Sequence, residues 1–319
     1  MTDEIPVETP AETPVLAIIG PTASGKSSLA IAIARQARAE ILSVDSMQVY
    51  QAMDIGTAKP SLAERFEIPH HLIDWVRPDE MFSVARFVEL ADEVITGASA
   101  RGERIIAVGG TPLYFKALFE GLFEGPAADE SVRDELRQLS DEALHEKLLA
   151  VDAAAATRIH ATDRRRMIRA IEVQKLTGEP ISQLQTQWDG SGPARHPVVW
   201  IGLAWDKEVL NRRINARVMD MLEVGWLEEV KALLAKYPNL SKTAGEATGY
   251  RQLIDVVHGR MKLADAAEEI KIATRQLARR QMKWLRRFAG VTWLPGDRLI
   301  EDNVADALEL WKSAAIRPR

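Results

Sequence analysis

Eight residues, Gly20 to Ser27 (GPTASGKS), set two glycines, a lysine and a hydroxyl at the spacing G-x-x-x-x-G-K-[ST]. The spacing suits a polyphosphate. Glycines let backbone N–H groups close around phosphate oxygens, the lysine neutralises them, and the hydroxyl reaches Mg²⁺. Gly20, Pro21, Thr22, Ala23, Ser24, Gly25, Lys26 and Ser27 are therefore expected to hold a phosphate chain, with Ser27 at the metal. A plain glycine turn would not require the Lys26–Ser27 pair. The loop alone does not say whose phosphates it holds.

Other groups gain meaning from where they fall. Asp45 closes the apolar run ILSV and precedes Ser46. Beside the phosphate loop it could take a proton or hold Mg²⁺ through water; a turn or capping Asp is equally common there. Gly109-Gly110-Thr111 offers exposed N–H groups and a hydroxyl, and packing explains its glycines as well as ligand binding does. Arg213 and Arg217, four apart, share a helix face and could reach an anionic leaving group, although solvated helix charge explains them too. Neighbouring His70 and His71 point to opposite faces of a strand and lack a matched second pair, which disfavours a metal site.

The elements that position these groups follow from the apolar pattern. Val15–Ile19, Ile41–Val44, Ile105–Val108 and Val198–Leu203 read as buried parallel strands followed by helices. This predicts an α/β fold, a parallel sheet flanked by helices, with ligands at the carboxyl ends of the strands. Between about Gly121 and Gly192 the strand-like runs vanish. Helices are expected over Ser131–Leu139, Asp141–Val151 and Asp163–Leu176, hence an inserted all-helical subdomain over 123–192, hinged at Gly121, Gly125 and Gly190-Ser191-Gly192-Pro193. The catalytic core is assigned to 15–122 and 193–319. After Asp206 the chain is expected to be helical through Tyr237, stopped by Pro238, and a last long helix runs from about Leu263 to Phe288.

Composition bounds the function. At 319 residues and 46% apolar, the chain can bury a sizeable core, and no apolar run approaches the roughly 18 residues that span a bilayer. The start, MTDEIPVETPAETP, lacks the n- and h-regions of a secretory signal and predicts a disordered acidic tail over 1–14. With no Cys, disulfides and thiolate metal sites are excluded, which fits the cytoplasm. The net charge of −5 comes almost entirely from that tail. Behind it, Lys271–Pro295 carries seven Lys and Arg and no acid. A second basic group, Arg164, Arg165, Arg166 and Arg169, follows a Thr162/Asp163 cap. Two such patches suit a polyanionic macromolecule meeting a small phosphorylated donor.

An ordered set of motifs resembles the bacterial tRNA dimethylallyltransferase family: GPTASGKS at Gly20, SVDSMQVY at Ser43, MDIGTAKP at Met53, PHHLID at Pro69, VGGTPLYFKAL at Val108, RxxRAIE at Arg166, RVMDMLEVGW at Arg217, GYRQ at Gly249 and TRQLARRQMKWLRR at Thr274. The resemblance implies a P-loop NTPase-like core whose loop binds the diphosphate of dimethylallyl diphosphate, with Mg²⁺. It implies transfer of the dimethylallyl group to N6 of adenosine 37 of tRNA. Asp45 becomes the general base, and Thr22, Lys26, Ser24 and Arg217 stabilise the diphosphate. Ser46, Met47, Gln48 and Thr111 line the extruded adenine and its neighbours. Arg133, Arg165, Arg166, Met167, Ile168 and Arg169 would grip the anticodon stem-loop from the insertion. Gly249, Tyr250, Arg251, Thr274, Arg275, Gln276, Arg279, Arg280 and Gln281 would do so from the core. A monomer, away from membranes, is expected. The rival readings are a P-loop small-molecule kinase and a non-catalytic tRNA-binding NTPase.

Overall fold

The computed structural model describes residues 13–123, 125–185 and 194–315. The acidic tail expected over 1–14 falls almost wholly outside these residues, and so does the Gly190–Pro193 hinge.

Six short strands pair into one parallel sheet. They are β1 (Val15–Ile19), β2 (Ala39–Val44), β3 (His70–His71), β4 (Arg104–Gly109), β5 (Val198–Ala204) and β6 (Thr292–Pro295), ordered β3-β2-β4-β1-β5-β6. β1 is buried along its whole length, as a central strand covered on both faces must be. Side chains alternate across it. Leu16 and Ile18 join Leu29, Ile33, Val304 and Trp311 in the core formed with helices Lys26–Ala37 and Ile300–Ala315. On the other face Phe115, Phe119, Trp200 and Phe288 make a run of ring contacts.

The register fixes the geometry of everything that follows. Ile19 pairs with Gly109, and Gly109 pairs with Val44, so β1, β4 and β2 end level. Gly20, Gly110 and Asp45, each one residue further on, therefore stand side by side at one edge of the sheet. Gly109 is what allows it: a Cβ there would lie 2.0 Å from the Val44 carbonyl oxygen.

The four expected strands are present with ends shifted by at most two residues. β3 and β6 carried no apolar run of their own, being two and four residues long. His70 and His71 sit on β3. The His70 ring bonds the Ile68 carbonyl at 2.7 Å and the His71 ring bonds Glu40 at 2.7 Å. The helical stretch expected from Asp206 to Tyr237 is present as two helices, Lys207–Glu223 and Trp226–Lys236. Gly225, at φ 103°, takes a left-handed conformation that ends the first and starts the second.

Residues 120–195 form a second compact unit, a little wider than the 123–192 expected. Its helices are Glu130–Arg137, Asp141–Val151, Ala153–Arg158, Arg164–Thr177 and Ile181–Leu184. The side chains of Asp129, Ser140, Asp152 and Asp163 cap the first four. Leu136, Leu144, Leu148, Met167, Ile171 and Val173 fill its core. Glu172 is fully buried within it and accepts from Asp129 N–H, both Arg133 and Arg169 guanidinium groups, at 2.7–3.1 Å.

Gly109→Ala should force β2 and β4 apart and cost about 1–3 kcal/mol of stability, read as a lower urea midpoint. An unchanged midpoint would show that the strands tolerate the wider spacing.

Candidate active site

The loop after β1 is shaped to present amides. Ala23 (φ 62°) and Gly25 (φ 89°) both take left-handed conformations, which curl successive N–H groups toward one concavity. Gly25 begins helix Lys26–Ala37 without any side-chain cap, and the first turn holds no acid. The positive end of that helix is left for an anion. Ser24 adds a hydroxyl that is buried and lacks a partner among the described residues. A buried unpaired hydroxyl is costly unless a ligand atom or water meets it.

Side chains from distant segments hold the loop from outside. Trp205 Nε1 donates to the Ser24 carbonyl at 2.9 Å, and Arg213 Nε donates to the Ala23 carbonyl at 3.0 Å. The Arg213 guanidinium also lies 4.3 Å over the Trp205 ring. One amide is already taken: Thr22 N–H donates to Gln281 Oε1 at 2.9 Å. Gln281 Nε2 donates in turn to the Gly110 carbonyl at 2.7 Å. Sequence reasoning missed Trp205 and the reach of Gln281; the spacing of Arg213 and Arg217 was the one local signal.

Lys26, Arg217 and Asp45 form one electrostatic cluster. Burial pulls Lys26 down to about 8, against Asp45, which raises it, with Arg217 lowering it further. Burial also lowers Arg217, opposed by Asp45 and assisted by Arg213. Asp45 is held by an Asx turn: its Oδ1 accepts from Met47 N–H at 2.8 Å and Gln48 N–H at 3.3 Å. The turn reading thus holds, and the turn fixes the orientation of the carboxylate. A cleft of ≈ 480 Å³ opens beside the loop, lined by Lys26, Ser27, Glu64, Arg213, Arg217 and Asp220 among others.

The other expected site residues divide by what already occupies them. Thr111 Oγ1 accepts from Ser46 N–H at 3.1 Å, tying the β4 turn to the residue after Asp45. The Gln48 amide is engaged at both ends: Ser43 Oγ donates to its oxygen at 2.8 Å, and its nitrogen donates to the Thr57 and Ala58 carbonyls. Tyr250 is buried, and its hydroxyl donates to Glu229 at 2.6 Å. Glu229 also accepts from the N–H groups of Asp54, Ile55 and Gly56. Trp226 packs against both Gly56 and Gly249, where a Cβ would come within 2.2 and 1.9 Å of its ring. The Gly249-Tyr250 step therefore supports the 54–58 segment, and through it Gln48. The expectation of RNA contact by the Tyr250 side chain is corrected accordingly.

Met167 and Ile168 lie on the inner stripe of helix Arg164–Thr177, so their apolar side chains fill the insertion core and do not face RNA. Arg133 and Arg169, expected to grip RNA, are each ion-paired with the buried Glu172, so part of their charge is met inside the insertion. Arg165 and Arg166 are exposed, with Arg166 3.4 Å from Asp163. On helix Leu263–Leu285, Gln276, Arg279 and Arg280 are exposed; Thr274 and Arg275 are half-buried, Arg275 against Asn215 at 2.5 Å. Arg251 is also exposed. No helix among the described residues is long and apolar enough to cross a membrane.

Comparison with known proteins gives one answer over most of the chain. A profile described as IPP transferase matches residues 48–288, and one described as isopentenyl transferase matches residues 13–71. The tRNA dimethylallyltransferase of Acetivibrio thermocellus is 44% identical over 294 residues, covering 91% of this chain and 94% of that protein. The one of Geobacter metallireducens is 43% identical over 288 residues, covering 89% and 93%. The crystal structure of the tRNA isopentenylpyrophosphate transferase from Bacillus halodurans superposes with a TM-score of 0.72 at 37% identity, covering 95% of this chain and 97% of that one. A eukaryotic dimethylallyltransferase acting on tRNA superposes at 0.82 with 29% identity, covering 95% and 80%. This chain belongs to the IPP transferase family, that of the tRNA dimethylallyltransferases.

Proposed function

We infer that this chain transfers a dimethylallyl group from dimethylallyl diphosphate to N6 of adenosine 37 of tRNA, releasing diphosphate. The observation that carries the reading is the level ending of β1 and β2, which sets Asp45 beside the cradle and couples it electrically to Lys26 and Arg217. A kinase could use both the cradle and the carboxylate, but has no use for the exposed basic groups of helix Leu263–Leu285. A non-catalytic binder needs the cations but not the carboxylate.

The chemistry asks three things of these residues. The exocyclic adenine amine is a poor nucleophile because its lone pair is delocalised into the ring, so the allylic C–O bond must loosen as the C–N bond forms. Lys26, Arg217, the Ser24 hydroxyl and the loop amides stabilise the charge that builds on the departing diphosphate. Asp45 accepts the proton that N6 loses. Ser46, Met47 and Thr111, at the ends of β2 and β4, border the place where an extruded base would sit; extraction costs a few kcal/mol, offset by contacts to the pocket and backbone. Arg165, Arg166, Arg251, Arg279 and Arg280 supply the exposed positive charge for the anticodon stem-loop.

Mg²⁺ suits the donor set. Among the described residues no group of three or more His, Asp or Glu could cage a metal. The exposed Ser27 hydroxyl at the cleft fits an ion that keeps several waters and takes its remaining ligands from the diphosphate. Bound there, it would neutralise diphosphate charge.

Mass analysis of tRNA nucleosides, with and without the enzyme and dimethylallyl diphosphate, tests the function directly: a dimethylallyl adduct on adenosine is expected, and phosphate transfer from ATP in its place would overturn it. Asp45→Asn should lower turnover by about 10²-fold or more while tRNA still binds. Lys26 is charged below about pH 8 and loses its proton above it. By calorimetry, the free enzyme should bind inorganic pyrophosphate more tightly than Lys26→Met below that value, and the difference between them should shrink as pH rises through it, the ligand's own titration being common to both. Replacing Arg279 and Arg280 together by Ala should weaken tRNA binding and reduce its salt slope by about two. An unchanged slope would remove these residues from the RNA surface.

A further inference from the structure

We propose that Gln281 is a positioning residue for the phosphate loop, not a contact to RNA. The proposal deepens the transferase reading given above and rests on it.

Both functional ends of the Gln281 amide are used inside the protein. Its oxygen takes the Thr22 N–H at 2.9 Å and its nitrogen gives a hydrogen bond to the Gly110 carbonyl at 2.7 Å. These partners belong to the loops that leave β1 and β4. The next residue, Thr111, accepts from Ser46 N–H, which adjoins Asp45 on the loop leaving β2. One side chain thus joins two of these loops directly, those of the cradle and the turn, and Thr111 ties the turn to the third, which carries the carboxylate. The fit is close, since a Cβ on Gly110 would lie 2.6 Å from Gln281 Nε2.

The helix itself separates the two tasks. Ala278 and Leu285, three residues before and four after Gln281, are buried, which places Gln281 on the inward face of helix Leu263–Leu285. Arg279, Arg280 and Lys283 are exposed. The helix presents charge outward and a single amide inward. Holding Thr22 by its N–H also sets the entrance of the loop, and a displacement of about 1 Å at a site of this kind can cost about 10² in rate.

The test compares Gln281→Met, which keeps the length and loses both bonds, with Gln281→Glu, which keeps an acceptor for Thr22 and sets a carboxylate against the Gly110 carbonyl. Three quantities are read: affinity for inorganic pyrophosphate, single-turnover transfer rate at saturating tRNA, and the dissociation constant for tRNA with its salt slope. Gln281→Met should lose about five-fold or more in pyrophosphate affinity and about ten- to a hundred-fold in transfer rate. Its tRNA affinity should stay within two-fold, and its unfolding midpoint should stay near that of the parent. Gln281→Glu keeps the Thr22 bond but sets a negative charge beside the cradle, so it should also lose pyrophosphate affinity and transfer slowly, with tRNA affinity again within two-fold. A ten-fold loss of tRNA affinity with pyrophosphate binding intact would overturn the proposal, as would parental behaviour of Gln281→Met in all three. The pyrophosphate measurement needs no acceptor, so it stands even if the parent protein proves to modify something other than tRNA.

Discussion

A diphosphate leaving group carries more negative charge than one cation can balance, and under the proposed reaction this demand would account for the least ordinary features of the site. Lys26 is held where burial works against its own charge. Arg217 is treated likewise. A helix start is left uncapped, and a serine hydroxyl is buried without a partner among the described residues. Each feature costs stability in the empty protein, and one bound diphosphate would relieve them all. The fold supplies that stability elsewhere, in a sheet whose central strand is sealed on both faces.

The arrangement also explains why the loop needs external support. A segment with left-handed residues at Ala23 and Gly25 is not held by regular backbone pairing. Its carbonyls face outward as its amides face in, and Trp205 and Arg213 take two of them. Asp45 is treated in the same way. Two backbone N–H groups fix one of its oxygens, and the segment beyond is braced through Gln48, Thr57 and Glu229. Preorganisation of this kind lets the protein avoid rearranging its dipoles during the reaction.

Much of this was legible from residue order, and the part that was not shares a cause. Gly20–Ser27 and Asp45 were readable because a loop and a strand end are local patterns. The four longer strands were readable because each is a run of apolar residues. Gln281 was not, because its partners lie 259 and 171 residues away, and an amide side chain on a basic helix gives no local sign of facing inward. The insertion erred in the opposite direction. Arg133 and Arg169 looked available to RNA because the acid they serve, Glu172, sits among apolar neighbours in sequence and is wholly buried in space. A run of arginines reports exposed charge only after its internal debts to such acids are subtracted.

Trp226 fills the space that two other residues leave open, Gly56 on one side and Gly249 on the other. A methyl at either glycine is barred while the indole is in place. The two flanks differ in kind: a smaller residue at 226 would make room beside Gly56, but Gly249, at φ 91°, would still strain any side chain placed there. The same change would take the backing from the segment that braces the carboxylate.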